Sequence, residues 1–310
     1  MALRFSLRQL EYFVAVGEAG SVAKASERVN VSSPSISAAI AQLEQEFGIQ
    51  LFIRQHAQGL SLTPGGRRFF QQAKVVLDSS DALHDLASDI ADQPRGPLNI
   101  GCLVTMAPLV MAALRRSFEL AYPEARVSQV VTNQAELLSK LHLAEIDVAI
   151  TYDLEIPQTA KFEPLATLPP YVLLSSDHPW AAYREISLHD LEPEPMILLD
   201  LPMSREYFLS MFHAQGLRPQ VVERTGELAV LRSLVANGFG YALLNVRPRT
   251  HLAPDGEELV MVPLAGDFRP MVLGLVTIRS DHTTRIVSAF LDHCRSQISD
   301  ERIPGMAPKT

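Results

Sequence analysis

Four serines crowd around one proline in Ser32-Ser33-Pro34-Ser35-Ile36-Ser37, just ahead of apolar residues that recur at helical spacing. Short hydroxyl side chains at a helix start suit contact with base edges and phosphates, and the unpaired N–H groups of a first turn attract anions. Ser32, Ser33, Pro34, Ser35 and Ser37 are therefore candidates for a DNA-binding turn, with Lys24, Arg28 and Arg54 as the accompanying cations. Catalytic patterns are missing. The chain has no Gly-x-Ser-x-Gly, no Gly-x4-Gly-Lys, no His-Glu-x-x-His and no Cys-x-x-Cys. Gly238-Phe239-Gly240 lacks the third glycine of a dinucleotide fingerprint and follows a helical stretch where a strand is needed. The nine histidines have no metal-ligand spacing, so no enzyme, metal site or cofactor is expected.

The elements that must position the serines can be read on both sides of them. Ser6 to Gln9 form a capping box before Leu7, Leu10, Phe13 and Val14, and Gly17 and Gly20 weaken and end that helix. Ser21 caps a second helix over 22–29, with Val22, Ala25 and Val29 inward and Asn30 as a left-handed stop. Ser32 caps a third helix, and Pro34 fits its first turn, where a missing N–H costs nothing. Ile36, Ile40, Leu43 and Phe47 then make one stripe up to Gly48. Two helices joined by a tight turn form a helix-turn-helix, whose second helix enters the major groove. The alternative is a generic three-helix unit whose serines serve only as caps.

Strands over 51–54 and 60–62 flank a loop as a wing, which places Arg54 for a backbone phosphate. Thr63-Pro64 opens a long helix on which Phe69, Ala73, Val76, Ser80, Leu83, Ala87 and Ile90 recur in steps of 4 and 3. That is the spacing of a coiled-coil seam, which asks for a partner helix from a second copy of the chain. An ordinary amphipathic helix packed on its own domain is the other reading. Pro94-Arg95-Gly96-Pro97 breaks the helix and marks a boundary.

The 310 residues suggest about two domains, and 47% hydrophobic against 20% charged residues argues against disorder. Net charge is −8, but residues 1–68 hold seven Lys/Arg against five acids. A slightly basic head thus precedes an acidic body. The N-terminus lacks the apolar core of an export signal, so a cytoplasmic location is expected. The longest apolar stretch, 98–114, is broken by Asn99, Thr105 and Pro108, which rules out a membrane span. Two cysteines, Cys102 and Cys294, are too few for a disulfide framework.

The body alternates strands and helices: strand 98–102, helix 107–121, strand 126–131, helix 136–143 and strand 147–151, then strands 162–168 and 171–175. The theme repeats with strand 196–199, helix 205–215, strand 220–224, helix 228–236 and strands 240–244, 259–262 and 271–278. Asp281 caps a last helix reaching about 298. Such alternation implies parallel sheet with helices on both faces, and two α/β halves joined by crossing strands leave a cleft for a small ligand. Helices starting near Thr105–Met106 and Asn133–Gln134 would aim unpaired N–H groups into it, which suits a carboxylate. Thr105 and Gln134 can add donors. Pro202-Met203-Ser204-Arg205 opens a helix on the other half, where Arg205 can clamp an anion through two points. Met203 and Tyr152 can supply apolar wall. A salt bridge for Arg205, and ordinary packing for Tyr152 and Met203, are the alternatives.

Taken together, these residues make the chain resemble the LysR-type transcriptional regulators. In the head the matching residues are Leu7-Arg8-Gln9-Leu10-Glu11-Tyr12-Phe13, Gly20-Ser21, Val31-Ser32 through Pro34, Ile40 with Gln42-Leu43-Glu44, Gly48 with Leu51-Phe52, Arg54 and Leu62-Thr63-Pro64-Gly65-Gly66. In the body they include Gly101 with Thr105 and Pro108, Tyr122-Pro123, Ile146-Asp147, His178-Pro179, and Gly238 with Gly240 and Ala242-Leu243-Leu244. The resemblance implies an α/β protein with a winged helix-turn-helix over 1–63, a linker helix over 64–93 and a periplasmic-binding-protein-like effector domain over 94–300. That domain would divide into 94–168 with 269–300 and 169–268, and 301–310 would be a flexible tail. It further implies a non-enzymatic regulator whose partners are two-fold related double-stranded DNA, its own copies as homodimer and homotetramer, a small-molecule effector and, as a further candidate, RNA polymerase.

The chain departs from the family where bases are read. Members commonly carry Gln after the capping serine and Arg-Gln later in the helix, where this chain has Ser33, Ala38 and Ala39, and its wing has Gln55 and His56 near a common second Arg. Specificity then leans on phosphate placement and DNA shape. Asn245, where members often have Pro, adds a polar group to the cleft. Peroxide-sensing members use cysteines in the second half of the effector domain, which has none here, so the cysteines are expected to be structural. A ligand-binding module whose head contacts proteins, or a DNA binder without a ligand, are the competing readings.

Overall fold

The computed structural model describes residues 5–55, 59–91, 94–279 and 283–307, apart from the side chains of 54, 55, 59, 78 and 81–91. The chain divides into two units, Met1–Asp92 and Gln93–Thr310. Among the described residues no helix is long and apolar enough to cross a membrane.

The first unit comprises α1 (Leu7–Ala19), α2 (Val22–Val29), α3 (Ser33–Phe47), β1 (Phe52–Gln55), β2 (Gly59–Leu62) and α4 (Pro64–Ala91). Ser6 and Gln9 close the capping box of α1, and Gly20, at φ 62°, ends it. Gly17 does not end the helix but lies within it. A Cβ there would sit 2.7 Å from the Phe70 ring, so glycine is required by the close approach of α4. Leu10, Phe13, Ile36, Leu43 and Leu51 form the core, whereas Leu7 and Phe47, which periodicity places inward, are exposed.

The first turns of α4 belong to this core rather than to a free seam. The Phe69 ring lies 5.4 Å from Phe13 and 4.8 Å from Phe47, Ala73 is buried, and Val76 packs on the same cluster. Three residues assigned by spacing to a partner helix thus pack on their own head, Ala73 buried and Phe69 and Val76 partly so. Ser80 is half-buried, and the side chains of Leu83, Ala87 and Ile90 lie outside the described residues. Polar contacts reinforce this docking. The Glu18 carboxylate, with its side chain only 4% exposed, accepts from Arg28 Nη2 at 2.7 Å and Lys74 Nζ at 3.1 Å, joining α1 to α2 and α4. Thr63 Oγ1 caps α4 by accepting from the Gly66 N–H and donates to the Gln50 carbonyl, both at 2.7 Å.

The second unit runs β3 (Gly96–Leu103), α5 (Ala107–Ala121), β4 (Ala125–Thr132), α6 (Gln134–His142), β5 (Val148–Tyr152), β6 (Ala160–Leu168), β7 (Tyr171–Ser175) and α7 (Leu188–Leu191). It continues through β8 (Pro195–Leu199), α8 (Ser204–Ala214), β9 (Gln220–Thr225), α9 (Leu228–Ala236), β10 (Ala242–Leu244), β11 (Leu259–Pro263), β12 (Met271–Ile278) and α10 (Arg285–Gln297). One sheet has the order β4-β3-β5-β12-β6, with α5 and α10 packed on β3 and α6 on β3, β5 and β12. Elsewhere β8 pairs with β9, β7 lies between β10 and β11, and a Met196–Tyr241 bridge connects these strands.

The parallel sheet expected from the alternation is present, with antiparallel strands added to it. β3 is parallel to β4 and β5, and β8 to β9, but β12 is antiparallel to both β5 and β6, and β7 to β10 and β11. Strands that carry the chain across between the halves enter a sheet against the direction of its own βα units. The four-residue α7, capped by Ser187 and Asp190, was not expected from periodicity because it is shorter than two turns. The last helix is capped by Thr284 rather than Asp281, which lies outside the described residues. The segment after 300 is no loose tail as far as 307. Ile303 and Met306 are buried, and the Ala307 N–H donates to the Arg247 carbonyl at 2.9 Å.

Gly66 provides a test of how α4 is seated. A Cβ at this position would lie 2.1 Å from the Leu51 carbonyl oxygen, so backbone must move to admit it. Gly66→Ala is expected to destabilise the head by about 3 kcal/mol, the upper range for overpacking, and a circular-dichroism melt of the full chain should show the head unfolding early.

Candidate nucleic-acid interface and ligand cleft

The turn between α2 and α3 is fixed by local polar contacts. Asn30 takes the left-handed conformation at φ 52°, and Ser26 Oγ donates to the Val31 carbonyl at 2.6 Å. Ser32 caps α3, its Oγ accepting from the Ser35 N–H at 3.4 Å and sharing a 2.8 Å contact with Ser35 Oγ. Burial of Ile36, Ala39, Ile40 and Leu43 turns the opposite face of α3 to solvent. That face presents Pro34, Ser37, Ala38 and Ala41, with Ser32 and Ser35 at the helix start, while Ser33 is half-buried. Ala39, one of the positions where longer base-reading side chains are common, is itself buried. Ala41 is exposed on the same face, as its spacing from Pro34 and Ala38 on a helix requires.

Among the cations, Lys24 is exposed, whereas Arg28 uses its guanidinium on Glu18. Arg54 stands on β1 opposite Leu60, with its side chain outside the described residues. No side chain on the open face of α3 between Pro34 and Ala41 is longer than proline or serine, so the helix backbone can approach a groove floor closely. Recognition on such a face favours phosphate contacts and groove shape over long donors.

In the second unit the candidates separate into three groups. Thr105, Tyr152 and Asn245 come together in the interior: Thr105 Oγ1 and the Tyr152 hydroxyl lie 3.4 Å apart, and Asn245 Nδ2 donates to Met271 Sδ at 2.9 Å. Burial pushes the Tyr152 hydroxyl up to about 12, opposed by hydrogen bonds from Thr105 and Asn245. Gln134 is consumed by its own chain. Its Nε2 donates to the carbonyls of Tyr152 at 2.9 Å and Leu154 at 2.7 Å, and its Oε1 accepts from Thr151 Oγ1 and the Tyr152 N–H. An amide with this much internal bonding and 1% exposure is a brace between α6 and β5, not a free donor for a ligand.

The third group opens α8. Met203 precedes the helix at φ 68° without a side-chain cap, Pro202 is exposed and Ser204 is buried. Arg205 does not face an empty anion site. Its guanidinium pairs with Glu206, 2.6 Å from Nη2, and with Asp200 through Nη1. Glu206 first and Asp200 second hold its charge above the ordinary range. Met106 is fully buried at the start of α5. Cys102 on β3 and Cys294 on α10 are buried free thiols, both pushed up by burial.

A cavity of about 460 Å³ lies between the turn leading into α5, the start of α9 and the segment 248–254. Thr105 is the single predicted effector residue that lines it, alongside Val104, Glu227, Leu228 and Arg232. A signal for Arg232 was present in the sequence, since it is the one charge within the apolar run 228–236.

Comparison with known proteins gives these sites a common frame. Residues 7–67 match the family "Bacterial regulatory helix-turn-helix protein, lysR family", and residues 91–299 match "LysR substrate binding domain". HinK, a LysR family transcriptional regulator from Pseudomonas aeruginosa, is 36% identical with a TM-score of 0.64, covering 95% of this chain and 99% of its own. The HTH-type transcriptional regulator BsdA of Bacillus subtilis is 28% identical over 243 residues, 77% of this chain and 83% of that protein. The DNA-binding transcriptional dual regulator OxyR of Escherichia coli is 28% identical over 240 residues, 77% of this chain and 78% of that protein. With an exposed, serine-capped α3 in its first unit and an α/β ligand-binding domain of periplasmic-binding-protein type as its second, the chain belongs to the LysR family of DNA-binding transcription regulators.

Proposed function

We propose that this regulator binds two-fold related double-stranded DNA through the start of α3 and is controlled by a small anionic effector held in its α/β domain. The open face of α3 carries the first half: a capped helix start with Ser35 and Ser37 exposed and every large apolar residue of its stripe except Phe47 turned inward. Pairing of two heads supplies the second reading helix. Because Phe69, Ala73 and Val76 are used within the head, that pairing falls to the remaining surface of α4, where Val75 is 53% exposed. Dimers of dimers in the cytoplasm complete the reading. For the ligand to act, it must favour one assembly geometry over another; equal affinity for both would switch nothing.

A mobility-shift titration with the chain's own upstream DNA tests the first half. Specific retardation should weaken steeply as salt rises, by the release of counterions from each contacted phosphate. Ser37→Asp places a carboxylate on the open face and should lower affinity about tenfold or more with helicity unchanged. Retention of full affinity by this variant would remove α3 from the interface.

The second half predicts stabilisation of the α/β domain by small carboxylates in a thermal-shift series. Since Asp200 and Glu206 already neutralise Arg205, Arg205→Ala should preserve the shift produced by any carboxylate that binds the wild type. A lost shift with the fold intact would restore Arg205 as the clamp.

A further inference from the structure

Arg232 is an anomaly in an otherwise apolar helix. It is 5% exposed, and its Nη2 donates to the carbonyls of Thr250 at 3.1 Å and Leu252 at 3.0 Å. Its Nη1 is shielded from water and has no hydrogen-bond partner, and no carboxylate pairs with it among the described residues. A guanidinium cannot shed its proton at any physiological pH, so burial leaves a full charge whose hydrogen-bond partners among the described residues are two neutral carbonyls. The neighbouring aromatic hydroxyl offers no counter-ion, because Tyr171 is neutral and its hydroxyl donates to the Val246 carbonyl at 2.7 Å. Burial lowers the Arg232 pKa below the ordinary guanidinium value, with Tyr171 acting in the opposite sense, and the group stays charged.

The same side chain lines the 460 Å³ cavity, whose walls are mostly apolar, with Val104, Pro108, Leu228 and Pro254 among them. Glu227 is the other charged residue on this wall; it is exposed and does not pair with Arg232. We infer that Arg232 is the anion-binding group of the effector site and that the effector is a small monocarboxylate with an apolar body. Its carboxylate supplies the missing counter-charge, and its body lies along Val104, Pro108 and Leu228. The repulsive Glu227 carboxylate disfavours a second negative group. Because Nη1 is shielded, the anion meets it by drawing the guanidinium away from the Thr250 and Leu252 carbonyls, which frees the segment 248–254. Occupancy is thereby coupled to the wall of the cavity. This inference rests on the effector reading proposed above and adds the group that holds the anion.

The test uses the full chain and 4-bromobenzoate, with 4-bromobenzamide as its neutral counterpart. The acid should raise the melting temperature of the wild type and the amide should not. Arg232→Gln keeps a donor for the two carbonyls but removes the charge. It should melt at or above the wild type without ligand and lose at least tenfold in affinity for the acid, while Arg232→Lys retains part of it. In crystals soaked with the acid, anomalous scattering should place bromine in the cavity beside α9. Binding of the acid unchanged in Arg232→Gln, or bromine elsewhere in the α/β domain, overturns the role of Arg232 and leaves the effector reading intact. If hexanoate, benzoate and 4-bromobenzoate all fail to stabilise the wild type at millimolar concentration, this inference and the anionic-effector reading fall together.

Discussion

A polar group taken out of water must find its partner inside the protein, and this constraint decides what each candidate residue in the chain can do. Gln134 meets it with four contacts, to the backbone of Tyr152 and Leu154 and to the Thr151 hydroxyl, and so is a brace. Glu18 meets it by collecting Arg28 and Lys74, which ties up the Arg28 guanidinium and fixes α4 to the head. Arg205 meets it at the surface with Asp200 and Glu206. Arg232 meets it least well, as a buried cation supported by two carbonyls. The contrast between the two arginines carries more information about ligand chemistry than the position of either in the sequence.

Much of the architecture could be read from local chemistry. Ser6, Ser32 and Thr63 cap the helices that their hydroxyls and following residues announce, and Asn30 and Gly48 stop theirs in the left-handed region. These features succeed because their causes lie within a few residues. Direction of strands was less accessible, since β12 pairs with β5 and β6 only after the chain has crossed to the other half and returned. Gly17 misled for the same reason. Its requirement comes from Phe70, more than fifty residues away, and not from its own helix.

The candidate sites divide along the same line. The helix start that carries the serines of α3 could be placed because cap, proline and apolar stripe all act locally. The seam on α4 was read from spacing alone, and spacing does not distinguish a partner helix from the head's own Phe13 and Phe47. In the α/β domain Thr105, Tyr152 and Asn245, all assigned to one cleft from the sequence, do come together, whereas the burial of Arg232 against the Thr250 and Leu252 carbonyls depends on a segment about twenty residues away that helical spacing does not reveal.

The anchoring of α4 gives the head a handle. Phe69 wedges against Phe13 and Phe47, Phe70 lies over Gly17, and Lys74 grips Glu18, so the opening turns of the long helix and α1 behave as one rigid piece. Gln9 in turn holds Gln42 of α3 at 2.6 Å. Side-chain contacts thus run unbroken from the opening turns of α4 through α1 to the serine-bearing α3, so a twist entering those turns is carried to α3 through packed side chains rather than through a loop.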